Sequence, residues 1–352
     1  MNTIGIDYHK ASFTVCYRSA KAKETFAEFP STEDCIADFL TSVTCFDQLA
    51  VEAMGMCRHF VKKVRPKVAK VTLVNAAKNL LITKSNKKTD KHDASMLAYG
   101  LAHGLLPTSR FRSEAAQQVR SMVGARYMLV LMRVRVINFM HAVIARNGQS
   151  IPKDKMGHKM WRDRIDLGAL ELGDRIAMQT LESQINQLHK DILLLKHAIE
   201  KASRQLPGYE VLASIPGFGP IRRGTLLATI DDIDDFHSPK ALCAYLGIVP
   251  RVKMSAGQHI PSKFGRFRAG AITREGDVKA RSALTMATNK ALSANPSLRA
   301  FYDRIKGRKG YRKARTAAAR KLLVLIYFAL KSGKPIEDFS VIDFSKPHLL
   351  EG

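Results

Sequence analysis

The chain has 352 residues, of which 46% are hydrophobic and 25% charged, a composition that excludes a wholly disordered protein. Lysine and arginine number 57 against 31 aspartates and glutamates, which gives a net charge of +26 at pH 7. Such an excess repels itself unless a polyanion neutralises it, and nucleic acid is the usual polyanionic partner. The length predicts about two domains.

Several other protein classes are disfavoured. An apolar stretch begins at Ile4, so we expect no signal peptide, and the longest uninterrupted apolar run, near residues 322–330, is too short to cross a bilayer. Five cysteines without a Cys-x-x-Cys pair indicate reduced thiols, and the scattered histidines predict no zinc site. We therefore expect a cytoplasmic, nucleoid-associated protein without a membrane partner.

Strand and helix patterns alternate in the first hundred residues. Strands are predicted at residues 3–7, 13–18, 48–52 and 68–75, and helices at residues 31–40, 57–64 and 90–103. The order β-β-α-β-α-β-α predicts an α/β sheet covered by helices.

A long helical pattern follows at residues 115–147, and the polar segment 149–166 then predicts a loop or hinge. The clearest periodicity in the chain comes next, with apolar residues alternately three and four positions apart: Met178, Leu181, Ile185, Leu188, Ile192, Leu195 and Ile199. This heptad seam favours a coiled-coil connector that forms a homo-oligomer. The alternative is a long helix packed on its own domain.

A second basic domain, mainly α-helical, is predicted from residue 210 to about residue 332. Its last helix, at about residues 311–331, is basic in its first half and apolar in its second, and the tail after Gly333 is expected to be a partly ordered arm. The predicted domains are residues 1–112, 113–207 and 208–334, with a tail at residues 335–352.

Four acids form the first candidate site. Asp7 and Glu52 each end a predicted strand, and Asp90 and Asp93 are three residues apart on one face of a helix. Four converging carboxylates repel one another unless cations bind them, and oxygen-rich clusters suit Mg²⁺, which catalyses phosphoryl transfer. Each acid alone has a structural alternative, in particular Asp90 as the helix N-cap and Asp93 as the capping-box acid.

The second candidate is the sequence IPGFGP at residues 215–220, where Gly217 and Gly219 flank one apolar residue between two helical patterns. It predicts a helix-hairpin-helix turn whose backbone amides face a phosphate, with Arg222 and Arg223 adding charge. An ordinary corner between two helices is the alternative.

Basic stretches in the helix from residue 115, at residues 253–281 and at residues 304–321 are candidates for contacts with a nucleic-acid backbone. The further predicted contact residues are Lys88, Arg126, Arg133, Arg251, Lys253, Arg266, Arg268, Arg274, Arg312 and Arg315. Tyr302 and Tyr311 are weaker candidates for stacking on unpaired bases.

The sequences GIDYHK, VEAMG and KKTDKHDASMLA resemble the three acidic motifs of the transposases of insertion-sequence family one-hundred-ten, which include Piv-type DNA invertases. The resemblance implies an N-terminal domain of the RuvC or RNase H type. In such a domain Asp7, Glu52, Asp90 and Asp93 form an Asp-Glu-Asp-Asp metal site. The sequences KALCAYLGIVP at residues 240–250 and GAITREG at residues 270–276 resemble the C-terminal transposase domain of that family.

The resemblance also implies a nucleophilic serine about five residues after a proline. Ser255 stands at that distance from Pro250, whereas counting back from residues 270–276 favours Ser262. The chain departs from the family's pattern in two ways, because Ala256 separates Ser255 from Gly257 and because the spacer to Gly270 is longer. Ser255 is the preferred nucleophile.

The function implied is that of a site-specific recombinase or transposase that acts on donor and target DNA. It would cleave and rejoin strands through a 5′-phosphoserine intermediate with Mg²⁺, and a guide RNA is implied as a further partner. The alternatives are a DNA invertase of the same family, a structure-selective endonuclease that hydrolyses with metal-activated water, and a non-catalytic nucleic-acid-binding protein.

Overall fold

The computed structural model describes residues 2–83, 89–152, 154–250, 254–255, 258–259 and 272–345. The chain divides into two compact units, Met1–Phe111 and Arg112–Gly352, which are described separately below.

The first unit is an α/β unit around one mixed sheet. Its strands are β1 (Thr3–Tyr8), β2 (Ser12–Arg18), β3 (Glu24–Pro30), β4 (Gln48–Glu52) and β5 (Lys70–Val74). Its helices are α1 (Glu33–Thr41), α2 (Cys57–Val64), α3 (Leu80–Thr83) and α4 (Asp90–Ala102). The strand order is β3-β2-β1-β4-β5, in which β1, β2 and β3 pair antiparallel and β1, β4 and β5 pair parallel.

The two faces of this sheet are covered differently, because alternate residues of a strand point to opposite faces. Ile4 and Ile6 of β1 join a large apolar core that includes Phe39 of α1 and Phe60 of α2. The opposite face carries small residues, such as Cys16, and packs against α4. The sequence predicted these elements except the short helix α3 and the strand β3, which lies at the edge of the sheet and has only exposed or partly buried side chains.

The second unit is mainly α-helical. Its helices are α5 (Glu114–Arg146), α6 (Lys159–Arg162), α7 (Leu172–Ser203), α8 (Tyr209–Ala213), α9 (Pro220–Ile230), α10 (Pro239–Tyr245), α11 (Val278–Ala294), α12 (Pro296–Lys309) and α13 (Tyr311–Ser332). A two-stranded ladder, β6 (Met254–Ser255) and β7 (Gln258–His259), lies between α10 and α11.

The heptad seam of α7 is buried within the chain. Its residues Met178, Ile185, Leu188, Ile192 and Ile199 are all buried, and α5 and α7 pack along each other. Of the two predictions for this helix, the alternative therefore fits the structure, because α7 packs on its own domain. The buried residues of the seam are not free to form a dimer surface. The segment predicted as a loop or hinge, residues 149–166, contains only the short helix α6. The guanidinium of Arg162 in α6 is buried and donates to Asn186 Oδ1 of α7 at 2.8 Å, so the segment packs against α7 at this point.

The core of the second unit surrounds the apolar half of α13, as predicted from its pattern. In the described part of the predicted tail, residues 335–345, Phe339 and Phe344 are buried in this core, so this part is not a free arm. Asn295 fastens the tail, since its Nδ2 donates to the carbonyls of Phe339 and Ile342 at 2.7 and 3.0 Å.

By length and composition alone, α5 is the one helix among the described residues that could cross a membrane. A single helix of this kind is weak evidence for a membrane span. The five cysteines are free thiols, as expected.

Candidate active site

The four predicted acids lie around the carboxyl ends of the neighbouring strands β1 and β4 of the first unit. Among the described residues, the group of ligand atoms within 4.8 Å of one another comprises Asp7, Asp90 and His9, and leaves out Glu52 and Asp93. β1 and β4 are parallel neighbours with Ile6 opposite Val51, so Asp7 and Glu52 emerge at the same ends of adjacent strands. Both acids lie on the face of the sheet that α4 covers, and the first turn of α4 carries Asp90 and Asp93. Carboxylates from three separate stretches of sequence thus share one site.

The close approach of α4 to the sheet depends on Gly5 in the middle of β1. A β-carbon at Gly5 would lie 2.0 Å from the carbonyl oxygen of Ala94 and 2.4 Å from the amide nitrogen of Ala98, both in the backbone of α4. Only glycine permits this contact. The contact sets the distance between the first turn of α4 and the end of β1, where the acids lie.

The acids of α4 are not required to cap their helix. Thr89 is the N-cap, and its side-chain oxygen accepts a hydrogen bond from the amide of His92 at 3.3 Å. The structural alternative for Asp90 as N-cap is therefore wrong. Asp90 is instead the first residue of the helix.

The electrostatics of the site are those of crowded carboxylates. Asp7 is 7% exposed, and burial raises its pKa above the ordinary value; His9 opposes the shift, while Asp90 and Asp93 add to it. Burial likewise raises the pKa of Glu52, and Asp7 and Asp93 raise it further. Each carboxylate makes ionisation of its neighbours more costly. A bound divalent cation would remove this cost, so the donor set fits such an ion.

Two further residues adjoin the acids and were not predicted. His9 Nε2 lies 3.1 Å from Asp7 Oδ2 and 3.9 Å from Asp90 Oδ1. Asn79 is fully buried near Glu52, and neither its Nδ2 nor its Oδ1 has a hydrogen-bond partner among the described residues. The signal for His9 was its place two residues after Asp7 in GIDYHK, whereas no pattern in the sequence marks Asn79.

Residues 251–271, called here the serine segment, are flanked by two stretches of backbone that pair with each other. These flanking stretches, residues 247–250 and 272–276, form the base of the segment. Pro250 pairs with Ile272 across the segment, and the amide of Thr273 donates to the carbonyl of Val249 at 2.9 Å. The backbone of Ser255 belongs to β6, opposite Gln258 of β7. Ser262 lies outside the described residues.

Two glycines make that base possible. Gly247 and Gly276 have φ values of +68° and +81°, where side chains are strained. A β-carbon on Gly247 would lie 2.0 Å from the carbonyl oxygen of Glu275, and one on Gly276 would lie 2.0 Å from that of Tyr245. The glycine at the end of GAITREG therefore has a packing role at the base of the serine segment.

The turn at residues 215–220 lies between α8 and α9. Gly217 has a φ of +96°, and a β-carbon there would lie 2.5 Å from the carbonyl oxygen of Ala287 in α11, so this glycine serves packing. Gly219 is the N-cap of α9, and a β-carbon there would meet no atom of the described residues within 4 Å. Arg222 donates back to the carbonyl of Gly217 at 2.8 Å, and Arg223 lies over the ring of Tyr209.

The other basic candidates are spread over the second unit. Arg126 and Arg133 are half-buried on α5; burial lowers the pKa of Arg126, and the charge of Arg133 lowers it further. Arg274 and Arg312 are exposed, and Arg315 donates to the hydroxyl of Tyr311 at 2.8 Å. The candidates that lie outside the described residues are Lys88, Arg251, Lys253, Arg266 and Arg268.

Tyr302 and Tyr311, the two candidates for stacking on unpaired bases, differ in how exposed they are to solvent. Tyr302 is 5% exposed and belongs to the core of the second unit, so the prediction that it stacks on bases is wrong. Tyr311 is 49% exposed at the start of α13.

Comparison with known proteins gives matches in both units. A family model described as "Transposase IS116/IS110/IS902 family" matches residues 209–303, and a DEDD transposase model of the IS110 type matches residues 4–146. The transposase for insertion sequence element IS1111A of Coxiella burnetii is 22% identical over 93% of this chain and 89% of its own length. A probable family 20 transposase of Pseudomonas aeruginosa is 24% identical over 80% of this chain and 77% of its own. The pilin gene-inverting protein of Moraxella lacunata is 32% identical over 36% of this chain and 38% of its own.

Proposed function

The chain belongs to the transposase family of the IS110, IS116 and IS902 insertion sequences and is a DNA-recombining enzyme, and we propose that it cleaves and rejoins DNA through a covalent serine intermediate. The observation that carries this proposal is the placement of Asp7, Glu52, Asp90 and Asp93 around the carboxyl ends of β1 and β4, where the acids influence one another's pKa values. The family model that matches this unit is named for such an Asp-Glu-Asp-Asp set.

The four acids would hold Mg²⁺, because hard carboxylate oxygens are its preferred protein ligands. When bound, such an ion supplies charge that stabilises the reacting phosphate and favours ionisation of a nearby hydroxyl. The chain's own contribution is to hold these carboxylates in place. Asp7 and Glu52 are carried by adjacent strands, and the other two acids by a helix packed directly on β1.

Ser255 is the proposed nucleophile, with Ser262 as the alternative. Its Oγ would form a bond to the DNA phosphorus as the bond from phosphorus to O3′ breaks. The serine hydroxyl loses its proton, and the departing O3′ gains one. The 5′-phosphoserine link keeps the energy of the phosphodiester, so that a second 3′-hydroxyl can reverse the step and rejoin a strand without ATP.

The basic residues are proposed to hold the nucleic acid. Arg126 and Arg133 are two helical turns apart on α5, and no acid forms an ion pair with either among the described residues. Two unneutralised guanidinium groups beside each other favour a phosphate as their common partner. A guide RNA is proposed as a second polyanion that the net charge of +26 would accommodate. Such a protein would work at the nucleoid.

A homo-oligomer is proposed as the working assembly, with a contact surface that differs from the predicted one. Since α5 covers the heptad seam, we propose a different apolar surface among the described residues, the outer face of α5, formed by Tyr127, Met128, Leu131, Met132 and Phe139. These five side chains are 38% to 57% exposed and fall on one side of the helix. Apolar patches of this kind mark interaction surfaces in folded proteins.

DNA inversion is the second candidate outcome of the same chemistry. It is favoured by the similarity of 130 residues of this chain to the pilin gene-inverting protein. Hydrolysis by metal-activated water is the competing chemistry, and it would leave cut DNA without any protein attached.

The test is a denaturing gel of the protein after incubation with Mg²⁺ and DNA carrying the flanks of its own gene, with and without RNA transcribed from those flanks. We expect a protein–DNA adduct whose peptide map contains Ser255. Ser255→Ala and Asp7→Ala should each abolish the adduct, whereas Ser293→Ala, on an exposed position of α11, should retain it. Cut DNA with free ends, unchanged by Ser255→Ala and Ser262→Ala, would establish hydrolysis and overturn the serine mechanism.

A further inference from the structure

His9 lies beside Asp7 and Asp90, and the proposed function gives it no role. Its Nε2 is 3.1 Å from Asp7 Oδ2 and 3.9 Å from Asp90 Oδ1. One ligand atom from each of these three residues lies within 4.8 Å of the other two. This spacing is short enough for the three side chains to bind one ion.

The backbone of His9 is held in place from two sides. Its amide donates to the carbonyl of Ser12 at 2.9 Å, which closes the turn between β1 and β2. Its carbonyl accepts from the hydroxyl of Ser31 at 2.8 Å, and the amide of Ser31 donates to Ala11 at 2.9 Å. Only the side-chain torsions of His9 remain to be set, so little freedom is lost when the imidazole binds a ligand.

The surroundings of His9 differ from those of an ordinary surface ion pair. His59 is an example of the latter, because its side chain contacts Glu33, which is 62% exposed and is also paired with Lys63. His9 instead faces two carboxylates on different elements, the buried Asp7, whose side chain is 9% exposed, and Asp90, whose side chain is 57% exposed. The imidazole is itself half-exposed, so its nitrogen donor lies on the solvent side of Asp7.

We propose that His9 Nε2 is a ligand of the divalent ion at this site and makes the site bind Mn²⁺ more tightly than Mg²⁺. The proposal rests on the metal site of the proposed function. Mg²⁺ prefers a shell of oxygen atoms, whereas imidazole nitrogen favours transition-metal ions. An all-carboxylate site would lack this bias. His9 therefore acts on the choice of ion as well as on its affinity.

The experiment is pulsed electron paramagnetic resonance of Mn²⁺ bound to the full chain, together with calorimetric titration of Mn²⁺ and Mg²⁺. Wild-type protein should show nitrogen modulation from one histidine, and the modulation should change its pattern when histidine carries ¹⁵N. His9→Ala should remove the modulation and weaken Mn²⁺ binding by about tenfold or more, with a smaller effect on Mg²⁺. His59→Ala is the matched control and should change neither quantity.

The outcomes separate this inference from the proposed function. Mn²⁺ binding that depends on Asp7 but shows no histidine nitrogen in the wild type overturns the role of His9 and leaves the acidic site intact. Nitrogen modulation that persists in His9→Ala has the same consequence. Mn²⁺ binding that Asp7→Ala does not weaken overturns the acidic metal site itself. The wild-type spectrum decides the point even where a variant folds poorly.

Discussion

The contact between Gly5 and α4 yields the most direct prediction, because the substitution Gly5→Ala adds one methyl group where the helix backbone already lies. The new β-carbon would be 2.0 Å from the carbonyl oxygen of Ala94, and ordinary van der Waals contact begins at 3.4 Å. The helix must therefore move outward by the difference, about 1.4 Å. Ser95 of α4 would be pulled from Glu24, to which its hydroxyl donates at 2.9 Å.

The displacement affects stability and the acidic site together. Overfilling a packed interior costs about 1–3 kcal/mol of unfolding free energy. Asp90 and Asp93 move with the helix, and a misplacement of about 1 Å at a reacting site costs on the order of 100-fold in rate. We therefore expect Gly5→Ala to weaken Mn²⁺ binding and to reduce DNA adduct formation by about that factor.

The assay combines chemical unfolding, Mn²⁺ titration and the denaturing gel. Gly55→Ala is the matched control, since a β-carbon there has no neighbour within 4 Å among the described residues. Wild-type stability and Mn²⁺ affinity in Gly5→Ala would refute the reasoning that this contact sets the position of the acids. A similar loss in both variants would show that glycine itself matters, and not the contact.

Four further predictions follow from the described contacts. Asp7→Asn should stabilise the metal-free protein at pH 7 by on the order of 1 kcal/mol, because burial and neighbouring carboxylates raise the pKa of Asp7 and so penalise its ionised form. The gain should shrink as the pH is lowered into the range where aspartate protonates, because a raised pKa makes Asp7 take up its proton at a higher pH in the folded than in the unfolded chain. A gain that does not change with pH, in thermal unfolding with chelator, would contradict the assignment. In Gly276→Ala the new β-carbon would lie 2.0 Å from the carbonyl oxygen of Tyr245. We expect this substitution to lower adduct formation by about tenfold or more without changing the affinity for Mn²⁺. An unchanged adduct yield would show that the base of the serine segment tolerates the shift. Phe344→Ala should lower the free energy of unfolding by about 3 kcal/mol in chemical unfolding, because the ring is fully buried. Val341→Ala is the control and should lower it by less than about 0.5 kcal/mol, because Val341 is 75% exposed. Equal losses would mean that the tail does not pack as described. Leu131→Glu should convert an assembled protein to monomers in light scattering, and an assembly that persists would exclude the outer face of α5 as the contact.

The sequence indicated much of the first unit because its signals are local. Alternating apolar residues predicted β1, β2, β4 and β5, and acids at the strand ends could be read directly. The edge strand β3 escaped prediction, since only one of its faces is partly buried and its apolar pattern is weak. The sequence alone could not show that the four acids lie near one another, because this depends on which strands are neighbours in the sheet.

What the sequence determined by itself was composition, charge and periodicity, and through them the class of each unit and the polyanionic partner. Only tertiary structure decided which surfaces remain free. The heptad of α7 has the same apolar spacing whether its partner is another chain or α5, and in the folded chain α7 packs against α5. Gly5 and Gly276 likewise are ordinary glycines in the sequence and become indispensable only where another backbone lies against them. His9 acquired its significance in the same way, because contacts between distant residues are a property of the folded chain that no local pattern records.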